Sequence, residues 1–265
     1  MENILTIFIV ILVLLVVAAT IICAGGSSLR GSCAGRLRGS CAGGGPPPVP
    51  TITLAGISKI LRDKGITVTG VLHVGAHECE EMGLYRELFK QENPPVVWVE
   101  ANPSLVNKMQ RSTNNEIYKA VISDTDNKEV QFNFANFSQS SSILPFGMHL
   151  VEYPKVRYVK KQWVKTTTLA TFFKQIGKRP AMYNYWHLDI QGAELLALKG
   201  AGDLLNAVDV IVTEVNTVEM YKGNPLIGDI DKYLGDRGFE RALTDMTDHG
   251  WGDALYVKTV RRGSR

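Results

Sequence analysis

The sequence predicts an α/β fold, a doubly wound and mostly parallel sheet preceded by one transmembrane helix. Three observations predict it. Residues 4–23 are apolar except for Thr6 and Thr20. From residue 57 onward, short apolar runs alternate with stretches of helical periodicity. Polar side chains then gather directly after the apolar runs, at 75–78, 100–102, 124, 189–194 and 214–216.

The first run holds 20 residues. At about 1.5 Å each they span roughly 30 Å, the thickness of a bilayer's hydrocarbon core. A cleaved signal peptide is the competing reading, but it carries a positive n-region and a shorter apolar stretch. Here the one side-chain charge before the run is Glu2, so an uncleaved anchor is expected over residues 1–24. Arg30, Arg36 and Arg38 follow it and no Lys or Arg precedes it, which by the positive-inside tendency puts the domain in the cytosol. Residues 25–50 are rich in Gly, Ser and Pro and repeat Leu-Arg-Gly-Ser-Cys-Ala-Gly at 29–35 and 37–43. Such a stretch reads as a flexible tether; two short repeats do not make a solenoid. Cys23, Cys33 and Cys41 are juxtamembrane acylation candidates, against the plainer reading of a low-complexity linker.

Residues 51–265 form the expected domain. Across the whole chain, 21% charged and 45% hydrophobic residues fit a globular chain. A net charge of +3 is too small to argue for nucleic acid. Cys79 is the lone cysteine of the domain, which excludes an internal disulfide framework, and no metal-type cysteine spacing occurs.

Within the domain a short amphipathic helix is expected over 57–64, ended by Gly65, then a buried strand over 68–74. Met82, Tyr85, Leu88 and Phe89 give 78–91 a helical spacing, with Glu78, Glu80 and Glu81 at its N-terminus. A strand follows at 96–100 and a helix at 103–109, opened by Pro103. Further strands are expected at 117–123, 130–134, 185–190, 208–215 and 254–258. Helices are expected at 168–176, 193–205 and 225–236, and a polar loop at 138–143. Crossovers of this length force parallel pairing, and parallel sheets bind ligands beyond the carboxyl ends of their strands.

Those ends carry the chemistry. His73, Gly75, Ala76 and His77 form the first strand-to-helix turn, where a glycine lets a ligand approach the backbone. A dinucleotide loop needs three glycines around a pyrophosphate, whereas one glycine followed by acids repels phosphates and suits a cationic ligand. Glu100, with Ala101 and Asn102, ends the second strand, where an acid accepts hydrogen bonds from two ribose hydroxyls. Asp124 follows the third. Asp189 ends an apolar strand beside Gly192, with His187 two residues before it on the same face. Asp189 suits a general base, an amine ligand or a metal ligand; a lone histidine such as His187 is more often a packing residue. Glu214 ends the next strand at the same cleft mouth, and two carboxylates are too few to predict a metal. Glu194 falls in a first helical turn, where capping is the plain alternative.

Taken in order, these blocks resemble the FkbM family of class I, Rossmann-like methyltransferases. His73-Val74-Gly75-Ala76-His77 is similar to the family's first cofactor motif, and Trp98-Val99-Glu100-Ala101-Asn102-Pro103 to its ribose-binding strand end. Ala120–Asp124, Ser140–Leu144, Thr213-Glu214-Val215 and Trp251–Val257 follow in the family's order, and Leu188-Asp189-Ile190-Gln191-Gly192-Ala193-Glu194 is the most specific block. The resemblance spans 71–258. It implies a seven-stranded sheet whose last strand is antiparallel, S-adenosyl-L-methionine (SAM) as methyl donor, and O-methylation, with sugar or glycan hydroxyls a frequent acceptor. Many members carry an aspartate at the position of His73 and a second glycine near Cys79. Carried over residue by residue, Gly75, Glu100 and Asp189 are the leading cofactor-side residues, and His73, Ala76, His77, Ala101, Asn102 and Asp124 complete the expected cofactor set.

For catalysis, methyl transfer needs alignment and a group to take the hydroxyl proton. Asp189 is the first choice, with Glu214 and His187 behind it. Phe146, His149, Tyr153 and Tyr158 are candidates either for stacking on sugar faces or for packing a lid. Rival readings are a catalytically inactive, methyltransferase-like binding module and an NAD-dependent oxidoreductase; the missing glycines argue against the second.

Overall fold

The computed structural model describes residues 52–259. The expected anchor at 1–24 and tether at 25–50 lie outside the described residues. Among the described residues no helix is long and apolar enough to cross a membrane.

Seven strands form one sheet. They are β1 (Val71–Val74), β2 (Val96–Glu100), β3 (Ile117–Lys119), β6 (Tyr185–Leu188), β7 (Val210–Asn216), β8 (Phe239–Met246) and β9 (Trp251–Lys258). Their order is β3-β2-β1-β6-β7-β9-β8. The first five run parallel, and β9 lies antiparallel between β7 and β8. The expected seven-stranded sheet with an antiparallel last strand is therefore present.

The central strands are buried on both faces, which is why they read as unbroken apolar runs. Strand alternation divides their side chains between two cores. Val71, Trp98, Tyr185 and Val212 pack under α1 (Leu54–Asp63), α2 (Met82–Phe89) and α3 (Pro103–Ser112). Leu72, Val99, Trp186 and Ile211 pack under α5 (Leu169–Gln175), α6 (Glu194–Ala201) and α7 (Ile227–Gly235). Between the two sets runs a short helix, α4 (His149–Glu152), beside a separate antiparallel pair, β4 (Glu129–Ala135) and β5 (Tyr158–Lys165).

Several expectations are corrected. The run 130–134 is a strand, but it pairs with β5 outside the main sheet. Strand β3 stops at Lys119, and Ile122 makes only an isolated bridge to Thr167. Helix α6 ends at Ala201 rather than 205, because Gly202 takes a φ of +53° and the chain tightens into a 3-10 turn. Helix α2 begins at Met82, after the acids expected to open it. His77 and Cys79 hold φ values of +41° and +59°, so 76–81 is a turn and not a first helical turn. Strands β5 and β8 were not expected: β5 is largely exposed, and β8 carries Glu240, Arg241 and Asp245 through an edge position.

Candidate active site

The site forms at the carboxyl ends of β1, β2, β6 and β7. Gly75 and Ala76 donate their N–H groups to Val99 O at 2.9 and 3.0 Å, locking the first turn onto β2. Gly75 has φ +96°, and a Cβ there would lie 1.7 Å from the carbonyl oxygen of Asp189. The neighbouring strand end by itself therefore requires a glycine here, a reason that the sequence did not disclose. It also brings Asp189 against the first turn, with Asp189 N donating to Val74 O at 2.9 Å.

Glu100 is buried and both carboxylate oxygens accept backbone donors, Oε2 from His77 N at 2.9 Å and Oε1 from Asn102 N at 2.6 Å. The carboxylate thereby ties the turn after β1 to the turn after β2. Burial raises its pKa despite these donors. Ala76 is buried beneath this turn and Ala101 is half-buried. Asn102 caps α3, its side chain accepting from Ser104 N at 3.0 Å. His77 bridges outward, Nδ1 to Glu80 at 2.6 Å and Nε2 to Ser138 Oγ at 2.8 Å. Burial, the largest single influence, pulls its pKa down, but the bond to Glu80 and the charges of Glu80, Glu100 and Glu78 together make the net shift upward. Asp124 is exposed, and its side chain accepts from its neighbours Ser123 and Thr125.

Beneath the first turn lies a polar network in the α1–α3 face. Tyr85 Oη sits 2.8 Å from His73 Nδ1 and 2.9 Å from His187 Nδ1. The two imidazoles are 4.3 Å apart, and His73 stacks on Trp98 at 4.7 Å. One histidine accepts the tyrosine proton and the other donates to its oxygen. Burial drives both pKa values down to about 3, so both rings are neutral. His73 thus offers no carboxylate where the family often has one, and His187 is held by Tyr85. Linkage gives a sign. Between pH 3 and 6.5 the unfolded chain binds more protons at these rings than the fold does, so they make stability rise with pH and fall on acidification. Replacing His187 by Gln should reduce the slope of unfolding free energy against pH by up to about 1.4 kcal/mol per unit. Urea unfolding at several pH values from 4 to 6 checks it; equal slopes would mean that the buried ring is already protonated.

The β6 and β7 ends bring the two expected carboxylates together through Gln191, in left-handed backbone at φ +58°. Its Nε2 donates to Asp189 Oδ1 at 2.7 Å and to Glu214 Oε2 at 2.6 Å, while Tyr221 Oη donates to its Oε1. Tyr221 thereby fixes which way the amide points. Glu214 is buried and also accepts from Asn216 at 3.2 Å, whereas Asp189 keeps part of its surface open. Burial raises both pKa values, Glu214 far above the ordinary range, with Asp189's charge adding to that shift. Burial therefore favours protonation of the pair as a unit, and Asp189 is its more accessible member.

Glu194 ties down the turn that precedes α6 rather than capping the helix itself, the role expected for it. Its Oε1 accepts from Ile190 N at 2.9 Å and Gly192 N at 3.1 Å, and burial raises its pKa to about 7. The serine loop closes the site, with Ser142 Oγ donating to Gln191 O at 2.7 Å. Phe146 stacks on Tyr158 at 3.9 Å and on His149 at 4.3 Å, and Trp251 donates to Tyr153 Oη at 2.7 Å. Phe146, His149, Tyr153 and Tyr158 pack together, and His149 and Tyr158 reach the serine loop at Ser140 and Leu144 O. Sequence reasoning missed Tyr85, Tyr221 and Asp253; the last is paired with Glu214 across β7 and β9, with its pKa pushed well up by burial. Asp253 left a signal inside the Trp251–Val257 block, and Tyr85 stood only among the apolar positions of its helix. Among the described residues no three His, Cys, Asp or Glu side chains are arranged to hold a metal.

The model of the methyltransferase FkbM domain matches residues 73–241. This chain belongs to the FkbM methyltransferase family. As a member it is a SAM-dependent methyltransferase. No curated protein matches it. Among solved structures, magnesium protoporphyrin IX methyltransferase from Synechocystis PCC 6803 is similar at 13% identity over 77% of both chains, with a TM-score of 0.39. Methyltransferase FkbM from Methylobacillus flagellatus KT is similar at 13% identity over 71% of this chain and 43% of that one, with a TM-score of 0.45. A putative caffeoyl-CoA O-methyltransferase from Staphylococcus aureus is similar at 12% identity over 80% and 85%, with a TM-score of 0.43. The FkbM match starts at His73, so the whole cluster from the first turn to Tyr221 falls inside it.

Proposed function

We propose that this FkbM domain methylates a hydroxyl of a sugar or glycan, with Asp189 as general base, and that residues 4–23 hold it at the cytosolic face of a membrane. The observation that carries the reaction is the Asp189–Gln191–Glu214 arrangement, a partly open carboxyl group held through one amide against a buried one. The residues present also fit the methyl donor. A carboxylate has about four lone-pair sites. Glu100 spends one on each of two backbone donors, so acceptor capacity remains for two ribose hydroxyls. The acids of the 76–81 turn complement a cation, although Glu78 also pairs with Lys108 at 2.5 Å.

When bound, SAM supplies an already activated methyl group, so alignment is the main task left to the protein. Glu100 and the Gly75–His77 turn fix the nucleoside end. Asp189 then faces the acceptor hydroxyl and takes its proton, and its burial-raised pKa makes it a stronger base than an exposed aspartate. Gln191, aimed by Tyr221, holds Asp189 and Glu214 in one orientation. The anchor is supported by the length and uniformity of the apolar run, and the cytosolic side by the arginines that follow it.

The test is release of S-adenosylhomocysteine from SAM by the full chain, across a panel of mono- and oligosaccharides and a panel of phenols and carboxylic acids. Turnover confined to the sugars is expected. Turnover with phenols or acids alone would sink the sugar assignment and leave the methyltransferase in place.

A further inference from the structure

The β4–β5 ribbon and the segment leading into it carry an unusual surface. Of the nine large hydrophobic residues exposed among the described residues, five fall between 148 and 163: Met148, Leu150, Val151, Val159 and Trp163. Trp163 is 68% exposed, the most open of them. The same stretch, extended to 165, holds five exposed bases, Lys155, Arg157, Lys160, Lys161 and Lys165. Its one acid, Glu152, is taken by His249 at 2.7 Å.

Strand alternation puts Lys161, Trp163 and Lys165 on one face of β5, so an exposed indole stands between two ammonium groups. Glu129 opposes Lys165 across the ribbon and leaves the face net positive. The ribbon belongs to no larger sheet. Nothing in the fold of the domain needs an indole there, since Gln131 opposite it contributes little cover.

We propose that this surface docks on an anionic lipid bilayer, with Trp163 at the headgroup boundary and the lysines against acidic headgroups. The chemistry fits one occupant. Tryptophan prefers the membrane–water interface, and long basic side chains extend to the charged headgroups while their stems rest on apolar surface. A nucleic acid or acidic protein would use the lysines but leave the exposed Val159, which shares the alternation of Lys161 and Trp163 on β5, without an apolar partner. The inference rests in part on the proposed anchor, because a chain held at a bilayer by residues 4–23 meets lipid constantly. Docking would also bear on catalysis, since Asn133 of β4 exchanges two backbone hydrogen bonds with Ser142 at 2.9 and 3.1 Å, and Ser142 binds Gln191.

The experiment uses the full chain in vesicles of phosphatidylcholine with phosphatidylserine, some lipids brominated on their acyl chains, and reads tryptophan quenching. Trp98 and Trp186 are fully buried and Trp251 is partly so, so Trp163→Phe supplies the background. Quenching above that background is expected, and replacing Lys161 and Lys165 by Glu should abolish it, at roughly fivefold in partitioning per lysine lost. Vesicle flotation after an alkaline wash reads the anchor separately. A chain that floats but whose quenching equals that of Trp163→Phe overturns the docking surface and keeps the anchor. A chain that does not float loses the anchor; quenching on added excess vesicles then still supports docking, and none overturns it.

Discussion

Replacing Glu100 by Gln should weaken SAM binding roughly tenfold to a hundredfold, the worth of hydrogen bonds to a charged acceptor. The carboxylate accepts from both turns, after β1 and after β2, between which the nucleoside is proposed to lie, through His77 N and Asn102 N. Glutamine keeps one acceptor but turns an NH2 toward the other backbone donor, so a ribose hydroxyl loses its partner and the turn loses some order. The second effect destabilises the protein as well, and a control must separate the two. Thr53 caps α1 at the far end of the domain, accepting from Gly56 N at 3.2 Å. Thr53→Ala should cost about 1 kcal/mol of stability and leave SAM affinity unchanged. Calorimetric titration of both variants and the wild type decides it. Wild-type affinity in a folded Glu100→Gln protein would remove Glu100 from the cofactor site.

Replacing Asp189 by Asn should lower turnover on the responsive sugar by about a hundredfold to ten-thousandfold, the usual range for a general base. SAM affinity should change little, because the amide still accepts from Gln191 and preserves the β1–β6 contact beside Gly75. The pH profile gives an independent readout. Burial raises the pKa of both members of the Asp189–Glu214 pair. Wild-type turnover should therefore fall on the acid side at a pH above the ordinary carboxylate range, with one apparent value that belongs to the pair. The same raised values make this pair lower stability as pH climbs through them, the reverse of the histidine effect. Full turnover in Asp189→Asn with SAM affinity intact would pass the role to Glu214 or His187. An acid limb at the usual carboxylate pH would mean that the pair is more solvated than its burial implies.

Much of the fold was legible because a parallel sheet writes itself plainly. Strands β1, β2, β6 and β7 are covered on both faces, so their sequences are nearly all apolar, and β2 was bounded to the residue. Strands β5 and β8 were hidden for the opposite reason, since an exposed ribbon and a charged edge need no apolar alternation. The start of α2 was misplaced because left-handed backbone at His77 and Cys79 leaves no compositional mark when the residues are not glycine.

By itself the sequence determined the class of fold, the antiparallel last strand implied by the FkbM resemblance, and the acids at the strand ends. It could do so because strands that run parallel end on the same edge, so a residue's place in its own run fixes its place in the site. Tertiary structure alone decided what those residues touch. Gly75 is glycine because Asp189, more than a hundred residues away, passes where a Cβ would stand. Tyr85 joins His73 to His187, and Tyr221 aims Gln191 at two carboxylates, through contacts between separate elements. Which carboxylate holds the proton depends on burial, and burial belongs to the packed chain rather than to any stretch of it.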